Sequence, residues 1–286
     1  MTSERRFAFV QWEFPGRLGP APGRYPVRRY AGDDVRQIVV VGALEAPRRT
    51  RARKGRRASK AVDEPALGPV EVTRATVIDA TALQGRDAAE AWLREAAGEA
   101  CETVLAGALE VLNRAVAGHR VAAADPYVAD ADGTRALATR IGYGSGEEVA
   151  DGHWEAAREL GPAAPAEGLA ASPAERLAAI LSARDVALAC EELALRARAD
   201  LDHGRGREAA LQAHMALEAA VAELESWRGR GDMAKRLDEL AGHREALATA
   251  ANDALQGGLA PEAEAVVGTA LARVEAALRA RAVLSS

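Results

Sequence analysis

The chain has 286 residues, of which 49% are hydrophobic and 28% are charged, a balance typical of a folded soluble protein. Its length is comfortable for two domains and excludes any need for disulfide or metal cross-links to complete a core. Aromatic residues make up only 4%, and alanine dominates the apolar content, which predicts closely packed helices.

The net charge of −5 hides a strong asymmetry along the chain. Residues 1–60 hold 15 Lys and Arg against 5 Asp and Glu, a balance of +10, whereas the remainder holds 22 against 37, a balance of −15. A basic end and an acidic body predict either a contact between the two parts or separate partners for each of them.

The cysteines and the apolar runs predict a cytoplasmic protein. Cys101 and Cys190 are the only cysteines, and both lie in helical apolar patterns, which favours inert buried thiols in a reducing compartment over a disulfide. The longest apolar run, Ile38–Leu44, is too short to span a bilayer. The first 14 residues have no signal-peptide pattern, because Gln11 and Glu13 interrupt their apolar stretch.

In chain order, the first half begins with patterns typical of β-strands. Gly32-Asp33-Asp34 separates the second and third of these segments, which predicts an antiparallel hairpin. The run Ile38–Val41 is apolar on both faces, which predicts a central position in the sheet. The four predicted strands are Phe7–Phe14, Arg24–Ala31, Gln37–Leu44 and Val70–Ala80.

The pattern then changes to a helical period between Arg86 and His119, which predicts a helix long enough to cover the sheet, with Gly98 and Gly107 as positions where it could break. Leu137–Tyr143 is a candidate fifth strand. Gly146–Leu160 is a candidate short helix around Trp154.

Residues 161–171 are rich in Pro, Ala and Gly without a period, and we interpret them as a linker. Ser172-Pro173-Ala174-Glu175 is typical of a helix start, with a capping serine followed by proline. Further helices joined by Gly-rich turns indicate an antiparallel bundle or a short helical array. These helical stretches are Val186–Leu201, Glu208–Ser226, Asp232–Leu255 and Pro261–Val283.

Two patterns predict how these helices pack. Ala209, Ala213 and Ala216 follow a glycine turn and predict a close crossing of two helices. The surrounding segment, Leu195–Leu224, resembles one tetratricopeptide helix pair. It lacks the aromatic positions of that repeat, and it covers about one unit of an array that needs three. The last helix carries an apolar seam that favours packing inside the bundle over a contact between two chains. The seam consists of Val267, Leu271, Val274 and Leu278.

Together these patterns predict an α+β fold, with an N-terminal antiparallel sheet covered by a helix and followed by an all-α helical bundle domain. The expected domains are residues 1–160, with a basic loop at 46–62, and residues 172–286, joined by the linker 161–171.

Three motifs suggest chemistry but do not match the patterns that the chemistry needs. The glycines of Gly142–Gly146 match neither a dinucleotide-binding loop nor a P-loop, so we expect a flexible turn. Asp125, Asp130 and Asp132 do not fit a calcium loop, and we expect them to cap neighbouring amides in a turn. The five histidines lack zinc-site spacing. We therefore predict no catalytic residue, no metal and no cofactor.

The segment from Arg48 to Lys60 indicates a binding role, because it concentrates eight positive charges in 13 residues. None of its apolar side chains is larger than alanine. Its partner could be nucleic acid, an anionic membrane surface or an acidic protein. The absence of interleaved aromatic residues disfavours base stacking. The eight residues are Arg48, Arg49, Arg51, Arg53, Lys54, Arg56, Arg57 and Lys60.

Three functional hypotheses remain open from the sequence. The first is a non-enzymatic protein-interaction or assembly protein, whose partner is another protein or a second copy of the chain. The second is a protein that binds anions or nucleic acid through the Arg-rich segment 48–60. The third is an enzyme with a site between the two domains.

Overall fold

A computed structural model describes residues 5–44, 71–161 and 173–285 of the chain. Its contacts divide the chain into two compact units, Met1–Pro165 and Ala166–Ser286. The first is built on a β-sheet and the second consists of helices, so the α+β class is confirmed. The predicted basic loop at 46–62 and the predicted linker 161–171, apart from Gly161, lie outside the described residues.

The N-terminal unit contains one sheet of six antiparallel strands. In chain order they are β1 (Arg6–Pro15), β2 (Gly23–Val27), β3 (Gln37–Leu44), β4 (Val72–Leu83), β5 (Ala138–Gly144) and β6 (Ala156–Leu160). Their spatial order is β2-β3-β4-β1-β5-β6. The predicted hairpin of β2 and β3 is confirmed, with Gly23 opposite Val41 and Val27 opposite Gln37. β3 is an interior strand, while β4 and β1 occupy the centre.

The prediction of a helix around Trp154 is wrong. Residues Glu147–Asp151 form only a short 3₁₀ turn, and Ala156–Leu160 form the edge strand β6. The physical reason is tertiary, because β6 pairs with Thr139–Tyr143 of β5, and that ladder satisfies backbone groups that a short helix would otherwise satisfy internally.

The two faces of the sheet are covered differently. Val10, Trp12 and Phe14 of β1 point to one face, where they pack with the helices α1 (Arg86–Ala96) and α2 (Cys101–Ala122). The helical cover is therefore confirmed, with the break near Gly98. A Cβ at that glycine would lie 2.9 Å from the carbonyl oxygen of Arg94. Phe9 points to the opposite face and packs with Ile78 and Val149.

The C-terminal unit consists of five described helices, which begin and end within a few residues of the predicted positions. They are α3 (Pro173–Leu181), α4 (Ala189–Asp202), α5 (Gly206–Glu223), α6 (Met233–Leu255) and α7 (Pro261–Ser285). Each of α4 to α7 contacts the next, and α7 also contacts α4 and α5, which closes a four-helix bundle. The predicted cap, Ser172, lies outside the described residues.

The packing predictions for the bundle are confirmed. Ala209, Ala213 and Ala216 of α5 are fully buried in its core, which contains the facing residues of α4. The apolar seam of α7 is buried in the same core, with Leu278 packed at its border. No helix within the described ranges has both the length and the apolar character needed to cross a membrane.

Candidate functional site

The eight basic residues between Arg48 and Lys60 lie outside the described part of the chain, but the residues that flank them are placed. β3 ends at Leu44, which is opposite Val72 at the start of β4. The amide of Gly16 donates a 2.7 Å hydrogen bond to the carbonyl oxygen of Glu71. Both flanks therefore meet at the end of the sheet where β1 also ends.

A pocket of about 510 Å³ lies at this same end of the sheet. It is lined by Phe14 and Pro15 of β1, Arg17 and Leu18 of the following loop, His119 of α2 and residues of the segment 125–135. The guanidinium of Arg17, which is exposed, is held by the carboxylate of Glu71 at 2.9 Å.

Two side chains of α2 attach the segment 125–135 to that helix. The fully buried amide of Asn113 donates to the carbonyl oxygen of Ala131 at 3.0 Å and accepts from its N–H at 2.7 Å. Arg120 donates to the carbonyl oxygen of Val128 at 2.7 Å and to the carboxylate of Asp130 at 2.6 Å. Since a buried amide must find partners, Asn113 fixes the path of this segment.

Two of the three aspartates cap neighbouring amides, as predicted, whereas Asp130 pairs with Arg120. Asp125 accepts the N–H of Tyr127 at 2.9 Å, and Asp132 accepts the N–H of Thr134 at 2.9 Å. In the described portion of the chain, no group of three or more His, Cys, Asp and Glu side chains is arranged to hold a metal ion. The three aspartates that line the pocket are therefore engaged in local structure.

The glycine motif has a structural explanation. Gly142 and Gly144 belong to β5, and only residues 145–146 form the predicted turn. A Cβ at Gly142 would lie 2.5 Å from the carbonyl oxygen of Ala156 and 2.7 Å from Cζ of Phe9. These glycines permit the close approach of β6 and of the opposite-face core, rather than the approach of a phosphate.

Neither cysteine forms a disulfide; Cys190 is buried and Cys101 is half-buried. Burial raises the pKa of the Cys190 thiol strongly, and its hydrogen bond to Glu223 raises the pKa further. The same carboxylate accepts the N–H groups of Ala189 and Cys190, at 3.1 and 2.9 Å, and thereby caps the start of α4. Cys190 is thus held as a neutral thiol, which agrees with the predicted inert packing.

An ion cluster missed by the sequence analysis lies on the sheet face opposite α1 and α2. The carboxylate of Glu13 lies 3.0 Å from a guanidinium nitrogen of Arg74 and 2.8 Å from one of Arg140. Partial burial opposes ionisation of Glu13, but hydrogen bonds from the two guanidinium groups prevail and lower its pKa. Arg140 also pairs with Glu159, so this cluster connects β1, β4, β5 and β6.

The helix α3 has its charged Arg176 and the half-buried Ile180 on one side, and two exposed leucines on another. Arg176 pairs with Glu191 at the start of α4, and also with Asp185, which in turn pairs with Arg281 of α7. In contrast, Leu177 and Leu181 are 56% and 78% exposed. We define the α3 outer edge as Leu177, Ala178 and Leu181, all of which are exposed.

No protein-family model matches this chain, and neither a curated protein nor a solved structure matches it. The spacing of Leu177 and Leu181, one helical turn apart, was a signal that the sequence analysis could have used. Spacing shows that two residues share a helix face, but it does not show whether that face points towards the core.

Proposed function

We propose that this protein is a non-enzymatic interaction or assembly protein of the cytoplasm, and that the α3 outer edge is a docking surface for a protein partner. The observation that carries the proposal is that α3 exposes two leucines while its Arg176 is engaged in ion pairs. A surface helix normally turns its apolar stripe to the core and its charges to water. In α3 the charge of Arg176 is engaged on the inner side, and the leucines are in water.

The free energy gained by burying these leucines is enough to contribute to binding, but two leucines do not make a complete interface. Fully burying one leucine side chain is worth about 1.5–3 kcal/mol relative to leaving it exposed. Val186, which follows α3 in the chain, is also exposed, at 59%. A specific interface buries on the order of 1,000 Å² or more, so a partner would also contact the polar surroundings of these residues.

The test is purification of the full-length protein from its native cells, compared with the double variant Leu177→Ser/Leu181→Ser. We expect a partner to co-purify with the unmodified protein and to be lost from this variant. Leu195→Ser/Leu255→Ser is the matched control, because these leucines are 68% and 64% exposed on α4 and α6. Retention of every co-purifying protein by the α3 variant contradicts the proposal.

A second candidate function is anion or nucleic-acid binding by the Arg-rich segment 48–60, and its eight positive charges are the observation that favours it. Such binding depends steeply on salt, because each neutralised phosphate releases counterions. Titration of the protein with duplex DNA and with single-stranded RNA between about 50 and 200 mM salt tests it. A flat salt response, or no binding at low salt, excludes this function.

A further inference from the structure

The helix α3 is attached to the C-terminal unit differently from the other four helices. The helices α4 to α7 share one apolar core, which contains the fully buried side chains of Leu217, Leu247 and Leu271. None of the described apolar side chains of α3, which are those of residues 177–181, belongs to this core or packs against its border. The hydrophobic effect that holds α4 to α7 together therefore contributes little to the attachment of α3.

Ion pairs attach α3 instead. The guanidinium of Arg176 lies 2.5 Å from the carboxylate of Glu191 at the start of α4 and 3.4 Å from the carboxylate of Asp185. Asp185 follows α3 in the chain, and Arg281 of α7 anchors it in turn. The Arg176 side chain is 34% exposed, so dissolved ions can screen its two pairs.

The turn that ends α3 contains a strained residue. Ala183 has a φ of +56°, in the left-handed region that favours glycine. Its N–H donates to the carbonyl oxygen of Ile180 at 3.0 Å, and the N–H of Arg184 donates to that of Ala179 at 2.9 Å. These bonds close the last turn in the way that a glycine usually allows. Because alanine is less stable than glycine in this conformation, the turn favours opening of the helix end.

We propose that α3 is a salt-sensitive conformational switch, which unfolds and refolds locally while α4 to α7 stay folded. The ion pairs of Arg176 set the balance between the closed and the open state. A helix of nine residues is not stable in water by itself, because its nucleation is costly. Screening of the ion pairs therefore shifts the population towards the open state, whereas α4 to α7 retain their own core.

The switch goes beyond the proposed docking, because it is a property of the protein without a partner. It also has a consequence for docking, which rests on the proposed function. Leu177 and Leu181 share one side only while α3 is helical, so opening of α3 removes the α3 outer edge. Opening is measured here in the absence of a partner, so its failure and the failure of the docking proposal are distinguishable.

The test is hydrogen exchange of the full-length protein, measured by mass spectrometry of the fragments that cover residues 177–184. We expect these amides to exchange at least about tenfold faster in about 1 M than in about 0.05 M sodium chloride, because salt screens charges but does not weaken apolar burial. Amides of α5 and α6 should keep their protection. A synthetic peptide of residues 172–186 measures the effect of salt on the unfolded chain, and each rate is divided by that of the peptide.

Two variants act on the two features in opposite directions. Arg176→Gln removes the charge but keeps a good helix former, and it should accelerate exchange of residues 177–184 by about tenfold at low salt and remove most of the salt response. Ala183→Gly should slow exchange by about threefold, because glycine relieves the strain. Arg196→Gln is the matched control, since Arg196 pairs with Glu192 across one turn of α4, and it should leave α3 unchanged.

Three results overturn the proposal. The first is exchange of α3 that responds neither to salt nor to Arg176→Gln. The second is exchange of α3 at the rate of the synthetic peptide already at low salt, which would show that the ion pairs do not hold the helix. The third is a simultaneous loss of protection in α3, α5 and α6, which would show that α3 does not open separately.

Discussion

The two units fill their cores with different kinds of side chains. The sheet of the N-terminal unit buries large aromatic and β-branched residues, whereas the bundle buries a series of alanines between its leucines. In the first core these residues include Trp12, Phe14, Val39 and Ile141; in the second they include Ala197, Ala210, Ala213, Ala216 and Ala220. A layer of helices over a sheet leaves space that large side chains must fill, while alanine allows helix backbones to approach each other.

This difference determines which core substitutions each unit tolerates. A core filled by large side chains is destabilised when one is truncated, because a cavity remains. A core of alanines has little to lose by truncation, but it has no space for added methylene groups. Substitutions in opposite directions can therefore test the comparison.

The largest effect is expected from Trp12→Ala in the sheet. Trp12 is 2% exposed, and its ring lies 6.4 Å from that of Phe14. The cavity should lower the free energy of unfolding by about 3–5 kcal/mol. Urea unfolding of the variant, monitored by near-ultraviolet circular dichroism, measures this loss. Tyr127→Ala serves as the control, because Tyr127 is 91% exposed; a similar loss there would contradict the assignment of the core.

A nearly equal loss is expected when the buried charge of the bundle is removed by Arg281→Met. The Arg281 side chain is only 3% exposed, pairs with Asp185 and lies 5.5 Å from the ring centroid of Trp227. Its removal deprives Asp185 of the closest of its cationic partners, which should cost about 3 kcal/mol. Thermal and urea unfolding should show this cost, while Arg279→Met, at an exposed position, should be close to neutral. Unchanged stability of the first variant would show that this cluster is not structural.

A smaller loss is expected from Ala213→Leu in α5. Ala213 is fully buried where α5 packs on α4, so three extra carbons must displace a neighbouring helix. Overpacking of this kind costs about 1–3 kcal/mol. Ala222→Leu, at an exposed position of the same helix, should have almost no effect on the urea midpoint. If Ala213→Leu is neutral too, the helices are not closely packed there.

The smallest effect is expected from Glu223→Gln, which weakens the cap of α4. Burial opposes ionisation of Glu223, but hydrogen bonds from Cys190 and from the backbone N–H groups prevail and lower its pKa below the ordinary value of 4.5. A carboxylate with a lowered pKa stabilises the folded state above pH 4.5, and this stabilisation is lost as the pH falls through the lower folded-state pKa.

We therefore expect Glu223→Gln to cost about 1 kcal/mol at pH 7 and less near pH 3, as measured by urea unfolding at both values. Glu239→Gln is the control, because it removes the same charge from an exposed position on α6, away from the start of α4. This control should leave the urea midpoint almost unchanged at pH 7. A cost of Glu223→Gln that is the same at both pH values would contradict the role of the Glu223 charge.

The sequence by itself determined the main core positions and the order of strands and helices, except at β6, where it predicted a helix. The hairpin of β2 and β3, the break near Gly98, the close packing of α5 and the seam of α7 all follow from local patterns, because residue spacing and glycine act within one or two turns of the chain. The binding role of the eight basic residues in 48–60 remains a prediction, since these residues lie outside the described ranges.

Only the tertiary structure decided which surfaces are open. β6 exists because β5 supplies its hydrogen-bonding partner, and the outward side of α3 is set by the pairing of Arg176 with Glu191 and Asp185. The packing of α6 on α7 likewise brings Glu245 and Glu262, which lie on different helices, to one surface depression. Periodicity assigns residues to a face of their own element, but the packing of distant elements determines which faces meet and which stay in water.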